Sequence, residues 1–310
     1  MEIISGTEIF SLDGPGAVAI GKFDGLHAGH RKLLDIIIEE KEKGRKACVF
    51  TFDPAPAVFL GKSDGKELTT KDEKRLMLEQ MGIDVLVEFP MNARTAAMEP
   101  EAFVKEVLMG QLKTAVVVAG TDVTFGARGA GNADLLERMA PEGGFQVKLI
   151  HKVCVEGREV SSTYVREAVE QGHMELAAKL LGRPYMISGA VMHGRKLGRT
   201  LGIPTVNLAL PDSKLLPPFG VYFSRVIRGG QSYPAVTNIG CKPTVSGHDP
   251  RVGVESYIYD FQQDIYGEEI SVQLCAFQRG EQRFASVEAL QAQMMQDLEA
   301  GRKYFQNCRN

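Results

Sequence analysis

Ala17-Val18-Ala19-Ile20-Gly21-Lys22-Phe23-Asp24-Gly25-Leu26-His27-Ala28-Gly29-His30 is the stretch that decides the fold of the first half of this chain. The apolar run over 17–20 reads as a buried strand. Leu33, Leu34, Ile37 and Ile38 follow at helical spacing, so an amphipathic helix comes next. Two histidines therefore sit where a strand hands over to a helix. Unpaired N–H groups and the positive end of the dipole make a helix N-terminus a phosphate site. Gly25 and Gly29 let a ligand approach the backbone closely. Imidazoles placed there can donate hydrogen bonds to a phosphate whose charge grows during reaction. The combination suits nucleotidyl transfer from ATP. A zinc site is a poor match, because the two histidines lie three apart on a loop with no cysteine nearby.

The chain has 310 residues, 44% of them hydrophobic, and a net charge of −3. That length suggests one large or two ordinary domains with a real core. The charge gives no sign of a nucleic-acid or membrane surface, although a few local cations suffice for an anionic substrate. No apolar run reaches transmembrane length, and residues 1–10 lack a signal-peptide pattern. The five cysteines (Cys48, Cys154, Cys241, Cys275, Cys308) are scattered and odd in number. They imply reduced thiols and a cytoplasmic setting rather than a disulfide framework. Cys48 and Cys275 lie in apolar runs and read as core filler.

Two grammars divide the sequence near 182–184. In the first, apolar strands over 17–20, 47–52, 85–89, 115–119 and 147–153 alternate with helical patterns over 32–43, 72–81, 99–111 and 133–139. Such alternation implies a parallel sheet covered on both faces, with ligands beyond the carboxyl ends of its strands. In the second, runs over 185–192, 220–228, 232–239, 254–261 and 269–277 are rich in Val, Ile, Tyr and Phe and separated by turn residues. They predict a small antiparallel barrel. A last helix is expected from Ser286, which can cap it, to Phe305, with Leu290, Met294 and Leu298 along one stripe.

Three further segments of the first half fall on the same sheet edge. Thr51-Phe52-Asp53-Pro54-Ala55-Pro56 leaves the second strand, and Asp53 is either a turn-capping acid or a site residue. In Gly120-Thr121-Asp122-Val123-Thr124-Phe125-Gly126, Asp122 could meet a ribose or a flavin edge; a plain loop is the alternative. Ser161-Ser162-Thr163-Tyr164-Val165-Arg166 opens a helix. Its hydroxyls are N-cap candidates, and with Arg166 one turn on they would also clamp phosphate.

In the second half, Gly194-Arg195-Lys196-Leu197-Gly198-Arg199-Thr200-Leu201-Gly202-Ile203-Pro204-Thr205-Val206-Asn207 is the densest segment. Its three glycines and three cations suit a loop around polyphosphate. It lacks the Gly-Lys-Ser/Thr ending of a P-loop. Thr205 and Asn207 alternate along a strand, so their oxygens share a side and suit Mg²⁺. A basic hairpin for RNA is the weaker alternative, since no aromatics interleave. Glu255 interrupts the apolar run 252–258, as an outward-facing residue or as an inward carboxylate with a task.

Taken together, these motifs resemble the bacterial bifunctional riboflavin kinase/FAD synthetase family along almost the whole chain. The matching segments are those at 21–30, 51–56, 161–166 and 194–207, with Phe-Gly-x-x-x-x-Gly-Asn at 125–132, Gly-Val-Tyr at 220–222, Asn-Ile-Gly-x-x-Pro-Thr at 238–244 and Asp-x-Tyr-Gly at 264–267. Two positions depart from the family pattern: Val123 replaces an aromatic residue, and Gln278-Arg279-Gly280 replaces Leu-Arg-Pro. The resemblance implies a Rossmann-like α/β nucleotidyltransferase domain over 1–182. A flavokinase β-barrel with a C-terminal helix would follow over 183–310. It implies riboflavin, FMN, FAD and ATP as substrates and products, with Mg²⁺. It calls for no nucleic-acid, membrane or obligate protein partner. His27 and His30 would bind ATP phosphates, with Ser162, Thr163 and Arg166 completing the clamp. Gly21, Phe23, Asp24, Gly25, Asp53 and Asp122 fall in the nucleotide and flavin segments. Gly194, Lys196, Gly198 and Arg199 would wrap the kinase polyphosphate. Thr205 and Asn207 match the Mg-ATP ligands, and Glu255 the general base.

Overall fold

The computed structural model describes residues 1–194, 202–242 and 251–307. They form two compact units, Met1–Ser162 and Thr163–Asn310. Of the residues singled out above, Lys196, Gly198, Arg199, Pro243, Thr244 and Cys308 lie outside the described residues.

The first unit is built on six parallel strands: β1 (Glu2–Ser5), β2 (Gly16–Ile20), β3 (Lys46–Asp53), β4 (Val85–Pro90), β5 (Thr114–Gly120) and β6 (Gln146–Ile150). Their order is β1-β4-β3-β2-β5-β6, so β2 has β3 on one side and β5 on the other. Chain direction across the sheet reverses there, which opens a crevice at the carboxyl ends of β2 and β5. Alternate residues of each strand feed two cores. Val18, Ile20, Cys48, Phe50, Val87 and Val117 face one side with Phe103, Leu135 and Leu136. Ala17, Ala19, Ala47, Val49 and Val118 face the other, against Leu33, Leu34 and Ile37 of α1 (Ala28–Glu39) and Leu78 of α2 (Lys71–Gln80). Small alanines on this second face leave room for α1 to pack close to the sheet.

Five features differ from the sequence reading. Helix α1 begins at Ala28, because the His27 side chain caps it. The helical pattern over 99–111 becomes a short α-turn, Pro100–Ala102, followed by a π-helix, Phe103–Gln111. The strand expected over 147–153 ends at Ile150, and a two-strand hairpin, β7 (Cys154–Val155) with β8 (Arg158–Glu159), follows it. The edge strand β1 went unforeseen because only four residues, all but one exposed, carry it. Helix α3 (Ala133–Gly143) runs longer than expected, capped by Asn132 Oδ1, which accepts from the Leu135 amide at 3.0 Å.

The second unit holds α4 (Ser162–Glu170, whose first residue closes the first unit) and α5 (Met174–Leu181). Six strands then close into an antiparallel barrel: β9 (Tyr185–Met192), β10 (Val206–Leu208), β11 (Gly220–Arg228), β12 (Gln231–Lys242), β13 (Arg251–Ile258) and β14 (Glu269–Gly280). The strand expected over 254–261 is shifted to Arg251–Ile258. Inside the barrel Ser224, Thr237 and Ser256, all fully buried, join hydroxyls at 2.7 Å and so satisfy one another. Helix α6 (Val287–Asn307) packs outside, burying Leu298 and Phe305 against Val221, Phe223 and Val236. Ser286 Oγ accepts from the Ala289 amide at 3.2 Å, as its capping position predicts. Arg279 grips the buried Asp297 carboxylate through two bonds of 2.9 and 2.6 Å, fixing α6 to β14.

Candidate active sites in the two units

In the first unit the loop between β2 and α1 is forced into shape from below. Phe23 and Leu26 take left-handed backbone angles (φ 50° and 47°), unfavourable for side chains of this size. Both side chains are buried in the α1-side core, which holds the turn against that cost. Gly25, at φ 84°, takes the same region freely. The Asp24 carboxylate accepts the amides of Leu68 (2.9 Å) and Thr69 (3.3 Å), tying this loop to the start of α2. The Asp24 carbonyl accepts the Ser162 hydroxyl at 2.9 Å. A Cβ on Gly21 would lie 3.1 Å from the Phe23 ring, so that glycine serves the packing of the turn.

His27 Nδ1 accepts the amide of His30 at 3.3 Å, which assigns the ring proton of neutral His27 to Nε2. The two imidazoles stack at 3.7 Å, 18° from parallel. A Cβ on Gly29 would lie 3.2 Å from the His27 ring, which explains the glycine between them. Burial lowers the His27 pKa to about 4, partly offset by its backbone hydrogen bond and by the charge of Asp122. Burial, with His27 and Lys74 nearby, holds His30 well below the ordinary histidine range. Both rings are therefore neutral N–H donors at pH 7 rather than cations. Among the described residues the buried Nδ1 of His30 has no hydrogen-bond partner.

Asp122 lies just past the end of β5 and acts electrostatically on His27, so the two halves of the switch point meet here. Its carboxylate is 3.3 Å from Lys152. Asp53, at the end of β3, pairs with Lys71 at 2.5 Å. Within the 125–132 motif, Phe125 and Gly131 serve the packing of the loop. Phe125 is buried and exchanges backbone bonds with Gly131 (3.1 and 2.9 Å), and a Cβ on Gly131 would strike its ring. Val123 packs against the same core. Thr163 and Arg166 continue α4 beyond Ser162.

In the second unit Asn207 of β10, Glu255 of β13 and Asn238 of β12 stand side by side in register across three strands. They share the outer barrel face on which Val221, Phe223 and Val236 receive α6. Glu255 thus points away from the hydroxyl-lined interior, yet it is only half-exposed beside the buried Asn207. Asn238 belongs to the 238–244 motif, and strand pairing, which sequence does not display, places it beside Glu255. A Cβ on Gly194 would lie 2.4 Å from Asn207 Nδ2, so Gly194 is the space that the amide occupies. Thr205 lies immediately before β10 rather than within it. The rings of His193 and Tyr266, beside this corner, lie 3.8 Å apart and tilted by 37°. Among the described residues no group of three His, Cys, Asp or Glu could hold a metal.

Comparison with known proteins decides the family. Residues 11–164 match the FAD synthetase family model and residues 181–305 the riboflavin kinase model. A bifunctional riboflavin kinase/FMN adenylyltransferase of Bacillus subtilis is 36% identical over 94% of this chain and 93% of its own. The chain belongs to the bifunctional riboflavin kinase/FMN adenylyltransferase family. The Escherichia coli member is 37% identical over 93% of this chain and 92% of its own. A crystal structure described as a macrolide-efflux protein from Streptococcus pneumoniae shares the fold, with a TM-score of 0.83. It is 30% identical and covers 94% of this chain and 95% of that one. No described helix of the present chain is long and apolar enough to cross a membrane. The family assignment makes this a transferase of flavin synthesis with two enzymatic domains.

Proposed function

We propose that the two sites divide the family's two phosphorus transfers between them, the barrel making FMN from riboflavin and the parallel-sheet unit making FAD from FMN. The observation that supports this division is that each unit carries its own polar cluster: paired neutral imidazoles at a helix start, which can donate to phosphate, and a carboxylate flanked by two amides on the barrel, which can accept a proton. Both reactions depend on positioning and charge neutralisation rather than on a covalent nucleophile. The division follows domains at 1–182 and 183–310.

In adenylyl transfer an oxygen of the FMN phosphate attacks the α-phosphorus of ATP, and the bond to the departing pyrophosphate breaks. His27, through its Nε2–H, and His30 donate to oxygens that gain charge as this happens. The N–H groups opening α1 face the same phosphates. Ser162, Thr163 and Arg166 at the start of α4 extend the clamp. Gly21, Phe23, Asp24 and Gly25 keep the turn in shape, while Asp53 and Asp122 stand at the strand ends where ribose and flavin would lie.

In the kinase reaction Glu255 accepts the proton of the riboflavin 5′-hydroxyl as that oxygen attacks the γ-phosphorus and ADP leaves. Thr205 and Asn207 offer neutral oxygens of the kind Mg²⁺ accepts beside phosphate, and the cradle that Gly194 leaves for Asn207 fits that task. Bound there, the ion would neutralise polyphosphate charge. The segment with Lys196, Gly198 and Arg199 supplies the remaining cations. We place the enzyme in the cytoplasm, acting without nucleic acid, membrane or an obligate protein partner.

Incubation with riboflavin and Mg-ATP, followed by chromatography of the flavins, tests the reading. FMN and then FAD should accumulate, with FAD also formed from supplied FMN. Absence of FMN would refute the kinase half, and absence of FAD the other.

A further inference from the structure

Helix α2 lies beside the histidine loop for reasons visible in the sequence-distant contacts. Its entry is bolted to Asp24 by the Leu68 and Thr69 amides, and Thr70 caps it in a reciprocal box with Glu73. Leu78 packs in one core with Leu33, Leu34 and Ile37 of α1. Lys74 stands one turn before Leu78, and His30 one turn before Leu34, so the two occupy the same facing stripes one turn nearer the crevice. The lysine is partly buried, and its charge acts on His30.

The neighbouring cations of α2 are spent. Lys71 binds Asp53 at 2.5 Å, and Arg75 makes a bidentate pair with the buried Glu88 (3.0 and 2.6 Å). Among the described residues Lys74 forms no ion pair with an acid. A cation whose charge acts on the neutral His30 ring at a helix start has one chemical use that its neighbours lack: it supplies the full positive charge that the imidazole cannot.

We propose that Lys74 binds the polyphosphate in the adenylyl-transfer site, neutralising the charge that passes to the departing pyrophosphate while His30 donates to the transferring phosphoryl group. Lys74 stands on a different helix from both histidines and belongs to none of the segments that suggested the function. The inference rests on the adenylyl-transfer reading of the first unit. That reading is tested separately, by whether the unaltered enzyme makes FAD from FMN.

The test compares Lys74→Met and Lys74→Arg in the full chain. Three measurements apply: FAD synthesis from FMN with its KM for Mg-ATP, the reverse reaction of FAD with inorganic pyrophosphate, and FMN formation from riboflavin. Lys74→Met should weaken FAD synthesis and the apparent affinity for pyrophosphate by about 10- to 100-fold, the range of one charge-assisted hydrogen bond. Lys74→Arg, which keeps the charge, should recover most of both. FMN formation should stay unchanged in either variant, which shows that the chain is folded. Near-normal pyrophosphate dependence in Lys74→Met overturns the proposal. So does an equal loss in both variants, or a loss of FMN formation alongside, since each marks the lysine as structural.

Discussion

Asn207 and Glu255 are direct partners across β10 and β13, with Asn238 completing the row on β12. One side chain suited to Mg-ATP and one suited to a hydroxyl proton are thereby held a single strand apart. Glu255→Gln preserves size and hydrogen bonding and removes basicity. FMN formation should fall by about 10²–10⁴-fold, with riboflavin and ATP binding retained and FAD synthesis from FMN intact. Near-normal kinase turnover would place the base elsewhere.

Gly194→Ala tests the corner from the other side. Its methyl would overlap the Asn207 amide, 2.4 Å from Nδ2, and push it aside. The kinase should then need more Mg²⁺ and show a raised KM for Mg-ATP, as Asn207→Asp and Thr205→Ala should also show. An unchanged Mg²⁺ requirement in all three would remove Asn207 and Thr205 from the metal.

His30→Ala should slow FAD synthesis by about 10²–10³-fold and leave FMN formation alone. A pH effect on stability follows from His27. Its folded pKa, about 4, lies below the ordinary value of 6.5, so between those values the unfolded chain takes up a proton that the folded chain refuses. Stability contributed by the neutral ring is complete above pH 6.5 and is lost as pH falls towards 4. Thermal melts of His27→Gln should decline less over that window than those of the unaltered protein.

Glu40 is buried at the end of α1 among Lys43 (2.8 Å), Lys148 (2.8 Å) and Arg45. Hydrogen bonds from Lys148 and Lys43 lower its pKa to about 2. Its contribution to stability is thus present above the ordinary carboxylate pKa and disappears as pH falls towards 2. Glu40→Gln should destabilise the first unit at pH 7 by about 1–3 kcal/mol, the cost of leaving such partners unpaired. It should also flatten the acid limb of the melting curve.

A fragment beginning at Arg183 keeps all six barrel strands and α6 and should make FMN but no FAD. It lacks α5, whose Met174, Ala177, Leu180 and Leu181 are buried. A fragment beginning at Thr163 should therefore have the same activity with a higher melting temperature. FAD made by either fragment would refute the division of labour.

Much of this was legible in the chain itself. Strands such as β11 over Gly220–Arg228 follow from alternation and turn residues, and the His27–His30 junction from a strand meeting a helical stripe. What could not be read were relations between distant residues. Asp24 looks like a ligand in its motif, but its carboxylate is occupied by amides more than forty positions away. Phe125 and Gly131 stand six apart in a matching motif, and only the fold shows a ring packed on a bare α-carbon. Glu255 left inward and outward readings open, because barrel closure adds a third environment: an outer face sheltered by neighbouring side chains. Lys74 carries no motif at all; only the core that Leu78 and Leu34 share brings its charge near His30.

The turn at Phe23 and Leu26 has a further meaning for how this enzyme fails. Because a strained backbone beneath the histidines is held in place by buried rings and aliphatic groups, chemistry and core cohesion are not separable properties here. A genetic screen for impaired FAD synthesis should return substitutions at Leu34, Ile37 or Leu78, none of which bears a functional group. Such alleles would be temperature-dependent, with FAD output falling at temperatures where FMN output from the same polypeptide persists.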